Sequence, residues 1–234
     1  YPFILNLHGY GSNGKGQLMF FPMKKLAEKY GFIFCAPDGI EKRWNATDAC
    51  CDWKNEVDDS KYLRNLILKA MKTYNIDKKR VFVMGLSNGG FMSYRMAHDH
   101  SDLITGIVPF AGVGFNQWPN TPENPVSILH IHGTKDRTIK WAGGGVGRRR
   151  YPSAEDNFAK WKEFNNCKKK VELEKSTIDL DRKVSGSETE IIRFESDDSK
   201  VVMELWEVVD GAHVTPPRSA ARERIIQWML ARTK

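Results

Sequence analysis

A serine held between two glycines is the first candidate for chemistry in this 234-residue sequence. The segment Gly85-Leu86-Ser87-Asn88-Gly89 directly follows a short apolar run and precedes a stretch with helical spacing. This strand–turn–helix context is that of a nucleophile elbow, in which a strained turn exposes the serine hydroxyl at the end of a strand. Glycines are needed on either side because larger side chains would collide with the neighbouring strand and helix. The pattern predicts Ser87 as a nucleophile, the alternative being an idle serine in a glycine-rich turn.

A serine hydroxyl needs a base to accept its proton, and the base needs a carboxylate to orient it. After a nucleophile elbow, the order along the chain is serine, acid, histidine. His213 is predicted as the base, because it lies in a glycine-containing loop directly after the last predicted strand. Asp136 is predicted as the acid, because it lies in a turn just past another predicted strand. Asp156 and Asp210 are the alternatives for the acid.

A carbonyl group attacked by a serine needs two N–H donors to hold the oxygen on which negative charge develops. The backbone amide of Asn88, directly after the nucleophile, is the first predicted donor. Tyr10 is predicted to supply the second from the glycine-rich loop after the first strand, with Gly11 as the alternative. His8 is interpreted as a brace for this loop, and His132 as a structural residue of the turn before the acid.

Short apolar runs alternate with amphipathic stretches along the whole chain, and together they would position these residues. Strands are predicted at 3–7, 31–36, 81–84, 104–110, 127–131, 171–180, 190–194 and 201–209. Helices are predicted at 58–74, directly after Ser87, at 153–164 and at 218–232. This alternation predicts a mostly parallel, twisted sheet with helices on both faces. Without repeats or linkers, residues 1–234 are predicted to form a single catalytic domain.

Composition indicates an ordinary soluble globular protein, with 41% hydrophobic and 28% charged residues. The formal net charge is +7, but basic and acidic residues are interspersed, so no nucleic-acid partner is expected. The basic runs 148–150 and 168–170 are predicted to be solvated loops. No apolar run approaches the ~20 residues of a membrane span, so no membrane partner is expected. Because the sequence opens at Tyr1 beside an apolar run, N-terminal strands are expected to precede it.

The four cysteines leave the disulfide pattern open. Cys35 lies in an apolar strand and is predicted to be a buried thiol. Adjacent cysteines rarely bond each other, so either Cys50 or Cys51 could pair with Cys167. The spacing of cysteines and histidines matches no set of metal ligands, so no metal is expected.

Taken together, these segments resemble one family, the polyhydroxybutyrate-depolymerase-like esterases, which also include feruloyl and acetyl xylan esterases. The segments that carry the resemblance are Leu7-His8-Gly9-Tyr10-Gly11, Ala36-Pro37-Asp38-Gly39, Cys50-Cys51 with Val57-Asp58-Asp59, Arg80-Val81, Gly85-Leu86-Ser87-Asn88-Gly89-Gly90, His130-Ile131-His132-Gly133-Thr134 with Asp136, Gly143-Gly144, Trp161 with Asn166-Cys167, and Gly211-Ala212-His213. The resemblance implies an α/β-hydrolase fold, the same triad of Ser87, Asp136 and His213, no cofactor, and secretion.

Four of the seven tryptophans are candidates for substrate binding, because they fall in predicted loops at the carboxyl ends of strands. These residues are Trp44, Trp53, Trp118 and Trp141. Aromatic faces stack on phenolic and sugar rings, although each tryptophan could instead anchor its own loop. The short loop 112–125 leaves little material for a large lid. The sequence therefore predicts an open cleft for short or aromatic acyl esters, with esterified polysaccharide or a small ester as its substrate.

Three other functions are compatible with parts of this pattern. The same chemistry could serve a polyester depolymerase of the polyhydroxybutyrate type, or a hydrolase of its oligomers. A peptidase is disfavoured, because 234 residues leave no room for a propeller or a large cap domain. A catalytically inactive binding protein is disfavoured, because the elbow, the acid and the histidine are all intact.

Because no metal is expected, dialysis against EDTA should leave ester hydrolysis unchanged. The measurement is the initial rate on a p-nitrophenyl ester before and after dialysis, with a mock-dialysed sample as the control. Loss of activity that added zinc restores would contradict the prediction.

Overall fold

A computed structural model describes residues 1–51 and 57–234. The strands in chain order are β1 (Phe3–Leu7), β2 (Ile33–Cys35), β3 (Val81–Leu86), β4 (Gly106–Phe110), β5 (Ser127–Gly133), β6 (Gly144–Val146), β7 (Arg149–Tyr151), β8 (Lys169–Val171), β9 (Thr177–Ile178), β10 (Thr189–Glu195) and β11 (Val202–Val208). The helices are α1 (Gly14–Phe20), α2 (Lys24–Tyr30), α3 (Asp59–Thr73), α4 (Asn88–Asp99), α5 (Ala154–Phe164) and α6 (Ser219–Leu230). Among the described residues, no helix is long and apolar enough to cross a membrane.

One large sheet forms the centre of the fold, with strand order β2-β1-β3-β4-β5-β11-β10-β8 and with β9 also paired to β10. The six strands from β2 to β11 are parallel, and β10 pairs antiparallel with β11, β8 and β9. Parallel strands read as continuous apolar runs because helices cover both their faces. Accordingly, β1 and β4 are buried along their whole length, whereas β10 alternates between buried and exposed residues at its start. The predicted mostly parallel sheet with flanking helices is confirmed.

Successive residues of each central strand point to opposite faces of the sheet, which gives the domain two apolar layers. Leu5 of β1 packs in the layer formed with α3, α4 and α5, which includes Leu63 and Phe91. Its neighbour Ile4 packs in the layer on the other face, which includes Ile225 of α6 and residues of α1 and α2. The helices therefore hold the sheet from both sides and leave the ends of its strands for loops.

Some predicted boundaries differ from the structure for local reasons. The second strand is shorter than predicted, because Gly31 adopts a left-handed conformation with φ of 68° and ends α2. Helices α1 and α2 and the hairpin β6–β7 were not predicted. The predicted strand 171–180 is two separate strands, because β8 and β9 pair with opposite ends of β10.

The basic runs and the cysteines also differ from prediction. Part of the run 148–150 belongs to β7 and part of the run 168–170 to β8, although all six side chains are exposed. Cys167 is a buried free thiol, so the proposed pairing of Cys167 with Cys50 or Cys51 is wrong. The sulfur atoms of Cys50 and Cys51 adjoin each other instead. Cys35 is free but only partly buried.

The turn after β5 and the loop after β11 are joined by hydrogen bonds at the carboxyl end of the sheet. Thr134 N donates to Val208 O at 3.0 Å, and Lys135 N donates to Gly211 O at 2.9 Å. The two segments approach so closely that a Cβ atom on Gly133 would lie 2.3 Å from the carbonyl oxygen of Gly211. A residue without a side chain is therefore required at position 133.

Gly133→Ala is expected to lower both stability and kcat, because relief of this collision must push the loop after β11 away from β5. Overpacking of this kind costs about 1–3 kcal/mol in the free energy of unfolding. Urea unfolding and ester hydrolysis measure the two effects. Gly106→Ala is the matched control, since an added Cβ in that buried strand position meets its nearest atom at 3.2 Å. Equal losses in the two variants would contradict the prediction.

Candidate active site

Ser87 lies in a strained turn between β3 and α4. Its φ of 55° and ψ of −118° are unusual for a residue with a side chain. The turn is held because Ser87 N donates to Phe110 O at 2.8 Å and Phe91 N donates to Ser87 O at 2.9 Å. A Cβ atom on Gly85 would lie 2.5 Å from the carbonyl carbon of Gly89, and one on Gly89 would lie 2.3 Å from a carbonyl oxygen of β1. Both glycines are therefore required for β1, β3 and α4 to pack this closely.

The structure brings together the three side chains predicted to form the triad. His213 Nε2 lies 2.9 Å from Ser87 Oγ, and His213 Nδ1 lies 2.7 Å from Asp136 Oδ2. With Nδ1–H donating to the carboxylate, the lone pair of Nε2 faces the serine hydroxyl, as a general base requires. The alternative carboxylates Asp156 and Asp210 are both exposed to solvent.

The carboxylate of Asp136 is completely buried and accepts hydrogen bonds on both oxygens. Oδ1 accepts from Thr138 N at 2.8 Å and from Ile139 N at 2.9 Å. Burial works against ionisation, but the hydrogen bonds from His132 and His213 outweigh it and hold the pKa of Asp136 well below its ordinary value. Asp136 is therefore ionised at neutral pH.

One predicted amide donor directly follows Ser87, and the other follows a glycine that lies next to Ser87. Asn88 is the first residue of α4, so its N–H has no acceptor within the helix. Gly9 lies against the elbow, because a Cβ atom placed on it would be 3.5 Å from Ser87 Cβ. The neighbouring Tyr10 N–H has no acceptor among the described residues. Gly11 N–H donates to Lys42 O at 2.8 Å, which makes it unavailable as the alternative donor.

His8 braces the loop that carries Tyr10. Its Nε2 accepts from Gly39 N at 2.9 Å, and its Nδ1 lies 2.9 Å from Gly9 O. Burial lowers the pKa of His8, which favours the neutral form that this pair of contacts requires. The ring therefore ties the loop after β1 to the segment after β2.

The side chain of Asn88 has a role that its sequence position does not reveal. Its Oδ1 accepts from Trp44 N at 2.7 Å, and its Nδ2 donates to Trp44 O at 2.9 Å. This pair of hydrogen bonds fixes the residue after the nucleophile to the segment after β2. An asparagine after a candidate serine could have suggested such a clamp, but the sequence does not show which backbone it would reach.

The prediction that Trp44 binds substrate is wrong. Its side chain is fully buried, and its Nε1 donates to His8 O at 2.9 Å. Trp44 therefore supports the loop after β1 and presents no face to a ligand.

Trp118 packs in an aromatic cluster, contrary to the prediction that it binds substrate. It packs against His98 with a centroid distance of 5.6 Å, and against Trp161 at 4.9 Å. His98 lies ten residues after Asn88 on α4, which is about 15 Å along the helix axis, so Trp118 packs at the end of α4 away from the nucleophile. Its aromatic contacts belong to a packing cluster between α4 and α5.

The remaining two predicted substrate-binding tryptophans are Trp53 and Trp141. Trp53 lies outside the described residues. Trp141 follows the acid, is half-buried, and meets the ring of His132 edge-on at a centroid distance of 5.9 Å. Trp141 is therefore the tryptophan in the described part of the chain that best fits a role in the cleft.

His132 is a strand residue, which corrects its interpretation as part of the turn. It lies in β5, is fully buried, and its Nε2 is 3.3 Å from Asp136 Oδ2. Within residues 1–51 and 57–234, no group of three or more histidine, cysteine or acidic side chains is arranged to hold a metal ion.

The parallel sheet, the elbow and the serine–histidine–aspartate contacts define the class of protein as an α/β-hydrolase. The chain belongs to the phospholipase/carboxylesterase family, whose model matches residues 2–154. A narrower membership among polyhydroxybutyrate-depolymerase-like esterases is not shown by this match.

Similar proteins include an acetylxylan esterase and a feruloyl esterase. The chain is 28% identical over 146 residues to a bifunctional acetylxylan esterase/xylanase of Neocallimastix patriciarum, covering 60% of the chain and 20% of that protein. It is 26% identical over 179 residues to feruloyl esterase B of Piromyces equi, covering 71% of the chain and 33% of that protein. The chain therefore spans less than half of the length of these relatives.

Solved structures share the fold over nearly the whole chain. An acetyl xylan esterase from Aspergillus awamori superposes with a TM-score of 0.64 at 14% identity, covering 97% of this chain and 88% of that one. A thermostable esterase superposes with a TM-score of 0.63 at 15% identity, covering 100% of this chain and 55% of that one. At this identity the likeness shows the α/β-hydrolase fold alone.

Replacement of the triad residues is expected to show that they act as one unit. Ser87→Ala and His213→Ala should each lower kcat by several orders of magnitude, and Asp136→Asn should lower it less. The double variant Ser87→Ala/His213→Ala should be no worse than either single variant. Rates on a p-nitrophenyl ester measure these effects, with circular dichroism as the control for folding. A Ser87→Ala enzyme that keeps more than about a tenth of the activity would contradict the assignment.

Proposed function

We propose that this chain is a serine carboxylic-ester hydrolase. The proposal rests on one observation, the continuous line of hydrogen bonds from Ser87 Oγ through His213 to Asp136, at 2.9 Å and 2.7 Å. Membership of the phospholipase/carboxylesterase family supports it. An inactive binding protein would have no need of a strained serine and an oriented base.

The reaction begins with attack of Ser87 Oγ on the carbonyl carbon of the ester. The hydroxyl proton passes to His213 Nε2, and the imidazolium that forms is stabilised by the carboxylate of Asp136. The amides of Asn88 and Tyr10 hold the negative oxygen of the tetrahedral intermediate. Collapse of this intermediate breaks the bond to the alcohol, which leaves with the proton from His213, and the acyl group remains on the serine.

The second half of the reaction releases the acyl group. A water molecule replaces the alcohol and gives a proton to His213 Nε2 as its oxygen attacks the acyl-enzyme. The same two amides stabilise the second tetrahedral intermediate. The carboxylic acid then leaves, and Ser87 regains its proton from His213.

The proposed substrates are acetyl or feruloyl esters of polysaccharide, or small esters of the same acids. Two relatives named above are an acetylxylan esterase and a feruloyl esterase, which supports this class. Residues 111–126, which connect β4 to β5 and are all described, contain no helix or strand. An open cleft fits short or aromatic acyl groups better than long lipid chains. Secretion, which the sequence resemblance implies, stays a prediction.

A panel of substrates tests this specificity. We expect methyl ferulate and p-nitrophenyl acetate to have higher kcat/KM than p-nitrophenyl palmitate, with a hydroxybutyrate oligomer as the test of the polyester alternative. Trp141→Ala should change the selectivity between these esters by more than about twofold (~0.4 kcal/mol). Trp118→Ala is the matched control and should leave the selectivity unchanged, because it lies in a packing cluster.

Two results would contradict parts of the proposed function. Palmitate as the best substrate would refute the open cleft, while the triad could still stand. Failure of a fluorophosphonate reagent to label Ser87 in the folded protein would refute the serine hydrolase itself.

A further inference from the structure

Three buried side chains that take no part in the triad reaction contact each other in a row that ends at the acid. Tyr94 of α4 and His130 and His132 of β5 are fully buried. Tyr94 Oη lies 2.8 Å from His130 Nδ1, and His130 Nε2 lies 3.3 Å from His132 Nδ1. His132 Nε2 lies 2.7 Å from Ile139 O and 3.3 Å from Asp136 Oδ2. Tyr94, His130 and His132 thus form a buried chain that ends at the acid.

The acceptors around the buried chain determine where its protons lie. His132 Nε2 faces two acceptors, a carbonyl and a carboxylate, so it carries a hydrogen. Burial holds the pKa of His130 well below its ordinary value, so this ring is neutral and has one N–H. Burial also raises the pKa of Tyr94 well above its ordinary value, so its hydroxyl keeps its proton.

Two directions of donation are compatible with one proton on His130, and they differ in charge. If His130 donated to Tyr94, His132 would have to donate from Nδ1 as well as Nε2 and would be a buried cation. If Tyr94 donates to His130, His130 donates to His132, and His132 donates to Ile139 O beside the carboxylate, every member is neutral. A buried charge is costly, so the neutral direction is favoured.

We propose that His132 is a positioning residue for the catalytic acid, and that Tyr94 and His130 hold His132 as the neutral Nε2–H tautomer. The proposal rests on the ester hydrolysis proposed above. His132 acts through Asp136, because its ring is enclosed and has no exposed surface on which a substrate could lie.

His132 holds Asp136 in place both by direct contact and through the backbone of Ile139. Its Nε2–H group lies beside Asp136 Oδ2, at 3.3 Å between nitrogen and oxygen, and this is the same oxygen that His213 Nδ1 contacts. It also contacts the carbonyl of Ile139, whose own N–H donates to Asp136 Oδ1 at 2.9 Å. Among the described residues, the ionisable groups that contact Asp136 are His132 and His213. The position and the charge distribution of the carboxylate therefore depend on both histidines.

His132→Leu, which fills the space without a donor, tests the positioning role. We expect kcat to fall about 10- to 100-fold with little change in KM, as for loss of a hydrogen bond to a charged group. Asp136 would then attract the His213 proton more strongly, so the acid limb of the kcat/KM profile should move to higher pH. His132→Gln should recover most of kcat and restore the acid limb, because the glutamine amide can donate from nearly the same place.

His98→Leu is the matched control, since His98 is a buried histidine whose ring contacts Asn120 O, far from the acid. It should leave the acid limb unchanged, even if it lowers stability. A folded His132→Leu enzyme with the kcat and acid limb of the wild type would overturn the proposal. So would a loss of kcat in His132→Leu that His132→Gln repeats in full.

The proton assignment has a test that needs no activity. Long-range ¹H–¹⁵N spectra of the wild-type protein at neutral pH should show His130 and His132 as Nε2–H tautomers. A cationic His132, or an Nδ1–H tautomer of either ring, would overturn the assignment. Tyr94→Phe removes the first donor of the chain and should shift the His130 Nδ1 resonance.

These tests separate the inference from the proposed function. A folded wild-type protein that hydrolyses no ester and fails to react at Ser87 would refute the esterase, while the spectra would still decide the tautomers. Normal esterase activity combined with an unchanged His132→Leu enzyme would refute the positioning role alone.

Discussion

The parallel pairing of β5 with β11 is the constraint on which the site depends. Asp136 follows the first of these strands and His213 follows the second, so neighbouring strands deliver the acid and the base to one edge of the sheet. The close approach of Gly133 to Gly211 then sets the distance between the two loops. A contact of 2.7 Å between side chains 77 residues apart in sequence is thus a consequence of strand pairing. Ser87 and the loop after β1 reach the same edge because β3 and β1 are also neighbours.

Ser87 keeps its strained conformation because β1, β3 and α4 enclose the turn. β1, β3 and α4 approach each other at Gly85 and Gly89, where no side chain would fit. Hydrogen bonds on both sides of the serine then hold a conformation that an isolated peptide would avoid. Packing of the whole sheet offsets this strain. The conformation of the elbow therefore depends on the fold as well as on the local sequence.

The sequence predicted that the three candidate triad side chains would meet, because each is defined by its position relative to a strand end. Ser87, Asp136 and His213 all follow apolar runs, and the topology of a parallel sheet brings such positions together. Trp44 and Trp118 were predicted poorly, since a loop position says nothing about where a side chain points. Trp44 turned inward to a backbone carbonyl, and Trp118 joined a distant cluster. Helix α1 was missed because its glycines obscure the helical pattern.

The position of His132 can be predicted in part from the sequence. The two-residue spacing of His130 and His132 places both rings on one face of β5, and that much can be read from the sequence. What cannot be read is that the turn after β5 folds back, so that Asp136 and Ile139 meet the second ring. Local periodicity determines which face a side chain occupies, but only the tertiary structure determines its partner.

The charge balance of the acid explains why so many donors converge on one buried carboxylate. A buried carboxylate with too few donors would take up a proton, and a protonated Asp136 could not orient the Nδ1–H of His213. Two backbone amides and two histidines keep its pKa well below the ordinary value, even though burial opposes this. The acid therefore stays ionised throughout the range in which a histidine titrates. An ionised carboxylate keeps the Nδ1–H of His213 turned toward itself, and this leaves Nε2 facing Ser87 Oγ.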